Sequence, residues 1–401
     1  MTTYRQIAGT DIAPLPFTAT GTTTANNLAD RFAEFINVKD FGAVGNGVMD
    51  NTTALQNAIN AAESSGAPLF LPAGSYKTTS TLNVTASIGI FGSGNFNSVI
   101  LPASNINGIT VNIPNAGSFS KWFGPTFENF GIAYPSQATS GTAAISVTAT
   151  GFEVNGSTYR NLWINQAWDG IHFVKASAWV VDSCTINDSA EAGIFVENQN
   201  NADNGDSTIT NTTIFNPFVT GSTFGIIWRS SGGLRVLNNK INAMANGIQV
   251  QLASGAVTGD ILIQNNSIEA YGIAGVQSAV NLFRLGATGT LHSVLIQGNQ
   301  IGSFANAVAV PLDANGVWLS NLSILGNEVI TVNTGSPNGF IVNSTTNFLI
   351  CNNVLSTPIS AGAAIITGAS ADKAVIGPNI KSGTWSANSI SSTNTTQIAP
   401  N

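Results

Sequence analysis

The chain has 401 residues, 43 % of them hydrophobic and only 8 % charged, with a formal net charge of −7. So much to bury with so little charge excludes a disordered chain, and the acidic balance argues against nucleic acid as a partner, since phosphate contacts need a basic face. No apolar run approaches the ~18 residues of a membrane span, and two cysteines, Cys184 and Cys351, are too few for a disulfide framework.

The N-terminus, "MTTYRQIAGTDIAPLPF", lacks the basic start and apolar core of a signal peptide. Residues 1–35 read as a separate small piece, an anchor or cap, with Pro and Thr/Gly stretches before a short helical pattern in "ANNLADRFAEF". The stretch that follows is "VKDFGAVGNGVMDNTTALQNAINAA", residues 38–62. Its glycines at 42, 45 and 47 permit tight turns. Asp50 or Asn51 can cap a helix, because a short side-chain oxygen accepts the free N–H groups of a first turn. Leu55, Ala58, Ile59 and Ala62 then fall on one face, and "SSGAP" ends the helix.

From about residue 67 the pattern changes to short runs of Ile, Val, Phe and Leu broken by Gly, Asn and Ser, which are strand signals. An apolar residue, two variable residues and an Asn recur, ending at Asn239, Asn266, Asn299, Asn327, Asn353 and Asn379. Cys184 and Thr212 take the Asn place upstream, and Asn129 and Asn161 fit more loosely. Successive spacings from 161 are 23, 28, 27, 27, 33, 28, 26 and 26. A second marker follows about nine residues later, a Gly at 170, 193, 225, 247, 275 and 339 that opens a strand. Longer units carry insertions after this strand, at 197–207, 251–260 and 279–292.

Two markers in step at this period mean a solenoid. Leucine-rich repeats need a leucine consensus that is absent, so the expected fold is all-β, a parallel β-helix with coils stacked roughly 4.8 Å apart. The Asn positions then form a buried ladder in which each amide satisfies the next. In the Gly strands, the first and third residues after Gly point inward, Trp228 among them. The second points outward, as at His172, Phe195, Ile227, Gln249 and Gln277. A solenoid ends in an open apolar cross-section with unpaired edges, and the helix at 51–62 is the size to cover it. Cys184 and Cys351 fall six coils apart, beyond disulfide reach, and Cys184 should be a buried thiol.

The 38–62 stretch, followed by "PLFLPAGSYKTTSTL", closely resembles the entry motif of the pectate-lyase-like superfamily, in the branch shared by bacteriophage tailspikes and capsule depolymerases. The match is strong over about residues 18–85. The resemblance implies a right-handed parallel β-helix with an N-terminal capping α-helix, a homotrimer mounted on a phage tail and made in the host cytoplasm, acting on a bacterial surface polysaccharide. It also implies contact with other tail proteins through the N-terminus. The expected divisions are a virion-anchor segment at 1–35, the entry motif and capping helix at 36–85, the β-helix at 86–380 and a Ser/Thr/Asn tail at 381–401. The "NTD", adjacent Asp pair, "GHG" and "RIK" of polygalacturonase relatives are absent, as is an Asp–Lys–Arg set for calcium-dependent lysis, so no catalytic residue carries over.

Chemistry concentrates in one region. Eight of the 20 acidic residues lie in 153–206 and four of the seven tryptophans, Trp122, Trp163, Trp168 and Trp179, in 122–179. Carbohydrate sites need aromatic faces for sugar rings and paired carboxylates for acid and base. The register puts Asp169 and Glu191 on one turn, a coil apart, and makes them the expected catalytic pair, with Glu197 or Asp182 as the substitute member. Their proximity should raise one carboxyl pKa. Trp168, Trp163, His172 and Phe195 would line the sugar path. His292, in an inserted loop, is expected to be inert. "DNGD" at 203–206 lacks a full calcium-ligand spacing, and two distant histidines make no zinc site, so no cofactor is expected. The low surface charge suits neutral or basic sugars. A receptor-binding protein without catalysis, and a polysaccharide lyase, remain the other readings.

Overall fold

A computed structural model describes residues 16–18, 21, 23–114, 123–139, 141–150, 153–197, 207–216, 223–243, 246–270, 278–302, 304–331, 337–368, 370–386, 388–390 and 396–397. It is a right-handed parallel β-helix. Three parallel sheets of 12, 14 and 13 strands run its length, and each coil contributes one strand to each. Before it lie an antiparallel pair, Pro16–Thr18 with Ala25–Asn27, and a one-turn helix, Leu28–Phe32.

The helix Thr52–Ser65 buries Leu55, Ala58, Ile59 and Ala62 against the first coil. It closes the apolar cross-section, which explains a lone amphipathic helix at the head of an all-β chain. Its start differs in detail from the expected cap. Asp50 Oδ1 accepts from the Thr52 N–H at 3.0 Å. Asn51 occupies the N-cap position, but its Oδ1 accepts from Val44 N–H at 2.7 Å and its Nδ2 donates to Met49 O at 2.6 Å. Asn51 therefore ties the Gly-rich loop to the helix. Gly42, Gly45 and Gly47 all have positive φ, and a Cβ on Gly45 would lie 2.9 Å from the Tyr76 ring.

The amide ladder lies in the turn between the 14- and 13-stranded sheets. Asn239, Asn266, Asn299, Asn327 and Asn353 each donate through Nδ2 to Oδ1 of the next, ending on Asn379, at 2.9–3.0 Å. Each Oδ1 also accepts the backbone N–H of the preceding Asn, and each Nδ2 bonds a strand carbonyl, as Asn299 does with Ile263 O at 3.0 Å. Thr212 joins by donating its N–H to Asn239 Oδ1, and Cys184 donates its N–H to Thr212 Oγ1. Cys184 is buried in the ladder's column, and burial pushes its thiol pKa up to about 12. Both cysteines are free.

Asn129 and Asn161 belong to a neighbouring column. They have positive φ and stand with Ser183, Asn211, Asn238, Asn265 and Asn352 one residue before the ladder. A left-handed turn there is tolerated by Asn, whose short side chain bonds locally. The Asn161 amide donates to Asn129 Oδ1 at 2.7 Å, so the looser match was a second, outer amide column.

The Gly marker has a steric cause. A Cβ at Gly170, Gly193, Gly225 or Gly247 would lie 2.3–2.6 Å from Cγ2 of Ile186, Ile214, Ile241 or Ile268. The marker at Gly275 is a misassignment. That residue lies outside the described residues, and the register pairs Asn246 with Ser278 and Ile248 with Val280, which puts Ala279 in the Gly place. The outward residue of that coil is consequently Asn281, paired with Gln249, and not Gln277. The insertions lengthen strands as well as loops: His292 lies in the strand Thr290–Gln297, not in a loop. Past residue 380, Ile380–Ser386, Ser389–Ile390 and Thr396–Gln397 add one strand to each sheet, so the winding continues through the expected tail.

The ladder makes a stability prediction. Asn299→Ala strands the buried Asn266 N–H and removes the partner of Asn327, and should cost about 2–4 kcal/mol. Gln297→Ala removes only the exposed 2.7 Å bond from Gln264 and should cost less than about 1 kcal/mol. Denaturant unfolding of both variants checks this, and equal losses would refute it.

Candidate active site

The outward face of the 12-stranded sheet holds the chemistry. The pairing His172–Phe195–Ile227–Gln249–Asn281 makes one outward file, and Glu197–Arg229, Arg229 next to Gln251 on the following coil, and Gln251–Phe283 make a second. Under these coils the core is aromatic. Phe173 and Trp179 stack with centroids 4.0 Å apart, Tyr159 meets Phe173 edge-on at 5.5 Å, and Trp179 and Trp228 are fully buried.

Asp169 opens its strand with only 2 % of its surface exposed. Its Oδ1 accepts the Ala192 N–H at 3.3 Å, and its Oδ2 lies 3.6 Å from His172 Nδ1. The other ring nitrogen, Nε2, is 3.5 Å from Glu197 Oε2, so the imidazole stands between two carboxyl groups. Phe195 stacks flat on that ring, 4.6 Å between centroids and 4° between planes. Glu197 is ion-paired through Oε1 with Arg229 Nη1 at 3.2 Å. Arg229 is fixed by donating from Nε to Gln251 Oε1 at 2.7 Å, and its Cζ sits 5.2 Å from the Phe195 ring centre, a cation–π contact. Glu191 stands beside Trp168, accepting from the indole Nε1 at 2.6 Å.

Burial holds the Asp169 carboxyl well above its ordinary 3.8, and the negative charge of Glu191 adds to this, with a smaller push from Glu197 against the opposing Ala192 N–H. Burial likewise pushes His172 below 6.5, although Glu197 and Glu191 pull the other way. A buried carboxyl with a raised pKa, an imidazole with a lowered one and the Glu197–Arg229 ion pair thus line up across the sheet.

Asp169, Glu191, Glu197, Trp168, His172 and Phe195 therefore come together. Asp182 and Trp163 do not. Asp182 lies in the 14-stranded sheet, where Arg160 Nε is 3.3 Å away and Asn211 Nδ2 donates to it at 3.1 Å. Burial raises its pKa, but the bonds from Asn211, Ser183 and Arg160 outweigh that and leave it lowered. Trp163 lies in the 13-stranded sheet, tilted against Phe96 at 5.1 Å. Trp122 and the 203–206 acidic loop fall outside the described residues. Among the described residues no three His, Cys, Asp or Glu side chains converge as a metal site would require. Arg229 and Gln251 were not anticipated. The register contained them, since Arg229 stands four residues after Gly225 as Glu197 does after Gly193.

A family model described as "Rhamnogalacturonase A/epimerase, pectate lyase-like" matches residues 35–273, more than half of the chain. The chain belongs to that family. Within this pectate-lyase-like family and its relatives, mannuronan C5-epimerase AlgE1 of Azotobacter vinelandii is 36 % identical over 105 residues, 24 % of this chain and 7 % of the epimerase. The tail spike protein of Shigella phage Sf6 is 42 % identical over 71 residues, 16 % of this chain and 11 % of the tail spike. The matches thus span a small fraction of either relative. Among solved structures, DFA-IIIase from Arthrobacter chlorophenolicus A6 superposes with a TM-score of 0.64 at 16 % identity, covering 88 % of this chain and 97 % of the enzyme. The Dettilon tailspike gp208 does so with a TM-score of 0.58 at 16 % identity, over 90 % of this chain and 69 % of the tailspike. At such identities the likeness speaks for the fold alone. No helix among the described residues is long and apolar enough to cross a membrane.

The raised Asp169 pKa makes stability fall as pH rises from near 3.8 toward the folded-state value, because the unfolded chain releases this proton first. Asp169→Asn removes that slope. The variant should match the wild type near pH 3.5 and exceed it in Tm increasingly above that pH. Parallel Tm–pH curves would show that Asp169 is not held protonated.

Proposed function

We propose that the outward face of the 12-stranded sheet binds an extended bacterial surface polysaccharide, capsule or lipopolysaccharide O-antigen, and hydrolyses it at the Asp169–His172–Glu197 cluster. The observation that carries this is Asp169, a buried carboxyl whose pKa is raised well above its ordinary value and which is separated from a second carboxyl only by an imidazole. A protonated carboxyl can give its proton to a glycosidic oxygen, while a carboxylate across the bond takes one from water. The path through the ring limits the carboxyl separation to at most roughly 9 Å, which admits the ~6.5–9.5 Å of inverting glycosidases. Glu191, whose charge helps keep the Asp169 proton in place, is the substitute base. Trp168 orients Glu191, and Phe195 fixes the imidazole plane. The local similarity to the Shigella phage Sf6 tail spike supports a place on a phage tail; the homotrimer and attachment through residues 1–35 follow from the resemblance of the entry motif.

Two other readings each have an observation behind them. The 2 % exposure of Asp169 favours a receptor-binding protein that does not cleave. The neutral imidazole of His172 favours a lyase, in which it would take a proton beside a uronate carboxyl.

Incubation with capsule or lipopolysaccharide of the host separates these readings. Hydrolysis gives new reducing ends without ultraviolet-absorbing unsaturated product, lysis gives both, and receptor binding gives neither. Asp169→Asn and Glu197→Gln should each lower the rate about 10²-fold or more, while Asp182→Asn leaves it within about twofold. Native rates in the first two variants would remove them from the chemistry. Light scattering should give a particle three times the mass of one chain, and a monomer would refute the trimer.

A further inference from the structure

His172 stands between two carboxyl groups, and a neutral imidazole carries its hydrogen on one ring nitrogen or the other. What each nitrogen faces decides which. Asp169 Oδ1 accepts from the Ala192 N–H at 3.3 Å, so a proton on this carboxyl sits on Oδ2, the oxygen 3.6 Å from His172 Nδ1. An N–H at Nδ1 would then meet an O–H head-on, which makes Nδ1 the lone-pair nitrogen. Nε2 is shut off from solvent, and the acceptor it faces is Glu197 Oε2 at 3.5 Å. Both gaps are wider than a hydrogen bond, so the order of the ring depends on how firmly Glu197 is aimed.

Arg229 does the aiming. Its Nη1 holds Glu197 Oε1 at 3.2 Å, which leaves Oε2 turned to the imidazole. Its Nε donates to Gln251 Oε1 at 2.7 Å, and its Cζ lies 5.2 Å from the Phe195 ring centre. Phe195 stacks flat on His172, and Arg229 comes from the coil on its other side. One guanidinium thus grips the carboxyl group and backs the ring that sets the imidazole plane. The remaining charged neighbour is Glu191, whose Oε2 accepts from Trp168 Nε1 at 2.6 Å, and on the preceding coil His172 pairs with the uncharged Ser146. By contrast, the Arg284–Asp313 pair at 2.9 Å, beside a cleft of about 660 Å³ farther along the face, reaches no imidazole.

We propose that Arg229 is a positioning residue for the imidazole: by gripping Glu197 Oε1 it turns Oε2 to His172 and fixes the tautomer with the hydrogen on Nε2 and the lone pair on Nδ1, toward Asp169. The tautomer decides which carboxyl is the acid and which the base. A hydrogen on Nε2 favours charge on Glu197, and a lone pair on Nδ1 favours the proton on Asp169. The opposite tautomer reverses both. That assignment rests on the hydrolysis proposed above, whereas the tautomer is a property of the free chain.

Nitrogen-15 NMR of the full chain with labelled histidine tests this. The chain has two histidines, so His292→Gln leaves the His172 signals alone. Above the midpoint of its titration, His172 should show a protonated Nε2 and a bare Nδ1. Arg229→Gln should mix the two forms and draw the two nitrogen frequencies together. Burial holds the His172 midpoint below 6.5; Arg229→Gln should raise it, because the guanidinium opposes a charged ring, and Glu197→Gln should lower it, because that carboxyl favours one. Arg160→Gln, which breaks ion pairs on the 14-stranded sheet, should change neither. In polymer cleavage Arg229→Gln should lower kcat about tenfold or more and leave KM within about threefold. A hydrogen on Nδ1 in the wild type, or an Arg229→Gln variant with the tautomer and midpoint of the wild type, would overturn the proposal. The expected spectra without any polymer cleavage would refute hydrolysis and leave the positioning role standing. Cleavage by a wild type with its hydrogen on Nδ1 would refute the positioning role alone.

Discussion

The continuous file of buried asparagine amides governs the rest of the structure. Each side chain satisfies a backbone N–H, a strand carbonyl and the next amide, so no member can leave without orphaning groups on two coils. This locks the angle at which the coils from Asn239 to Asn379 turn from the 14-stranded to the 13-stranded sheet. The lock lets insertions of different length follow the 12-stranded sheet without disturbing register, because each coil is re-indexed at the amide. Both the carboxylate cluster and the cleft lie on the 12-stranded sheet.

A second consequence is the aromatic core beneath the site. Outward residues of a parallel sheet stand only as firmly as the strands that carry them, and these strands rest on Tyr159, Phe173, Trp179 and Trp228. Outside, Ala192, Phe195 and Ile227 form a small apolar cluster of their own, with Phe224 against it. Phe195 therefore has two roles: it shields the sheet and it holds His172 flat. Burial of Asp169 raises its pKa, since a neutral carboxyl is far cheaper to bury than a carboxylate. The electrostatics of the cluster follow from its packing.

The fold was largely legible because a solenoid writes the same constraint once per coil. The amide column needs a particular side chain and so leaves a repeated letter. The column of small residues is less strict: it excludes a Cβ beside Ile214 or Ile241, yet admits alanine at Ala279, Ala307 and Ala364. Glycine alone was a poor ruler there, and the Gly275 misassignment shifted one strand by four residues. That shift hid Phe283 and Arg284, which stand four and five residues after Ala279. The acid cluster was legible in part, since Asp169, Glu191 and Glu197 share the strand register that the glycines mark. Trp163 and Asp182 were near in number but on other sheets, because each corner of a coil turns the chain onto a different sheet. Trp179 shows why counting tryptophans misleads in such a chain: an aromatic stacked inside the column has the same composition signal as one stacked on a sugar.

Two ion pairs on the same face show how identical residue types come to differ. Arg229 is half-buried and shares Glu197 with His172, so its pair is coupled to a ring that can change protonation. Arg284 is almost fully buried, its Asp313 partner is also held by backbone, and no titratable ring touches it. The first arrangement can respond to a proton moving across the sheet, whereas the second is a rigid pair with one donor left over. The face thus carries two arrangements of the same residue types, one coupled to an ionisable ring and one closed on itself.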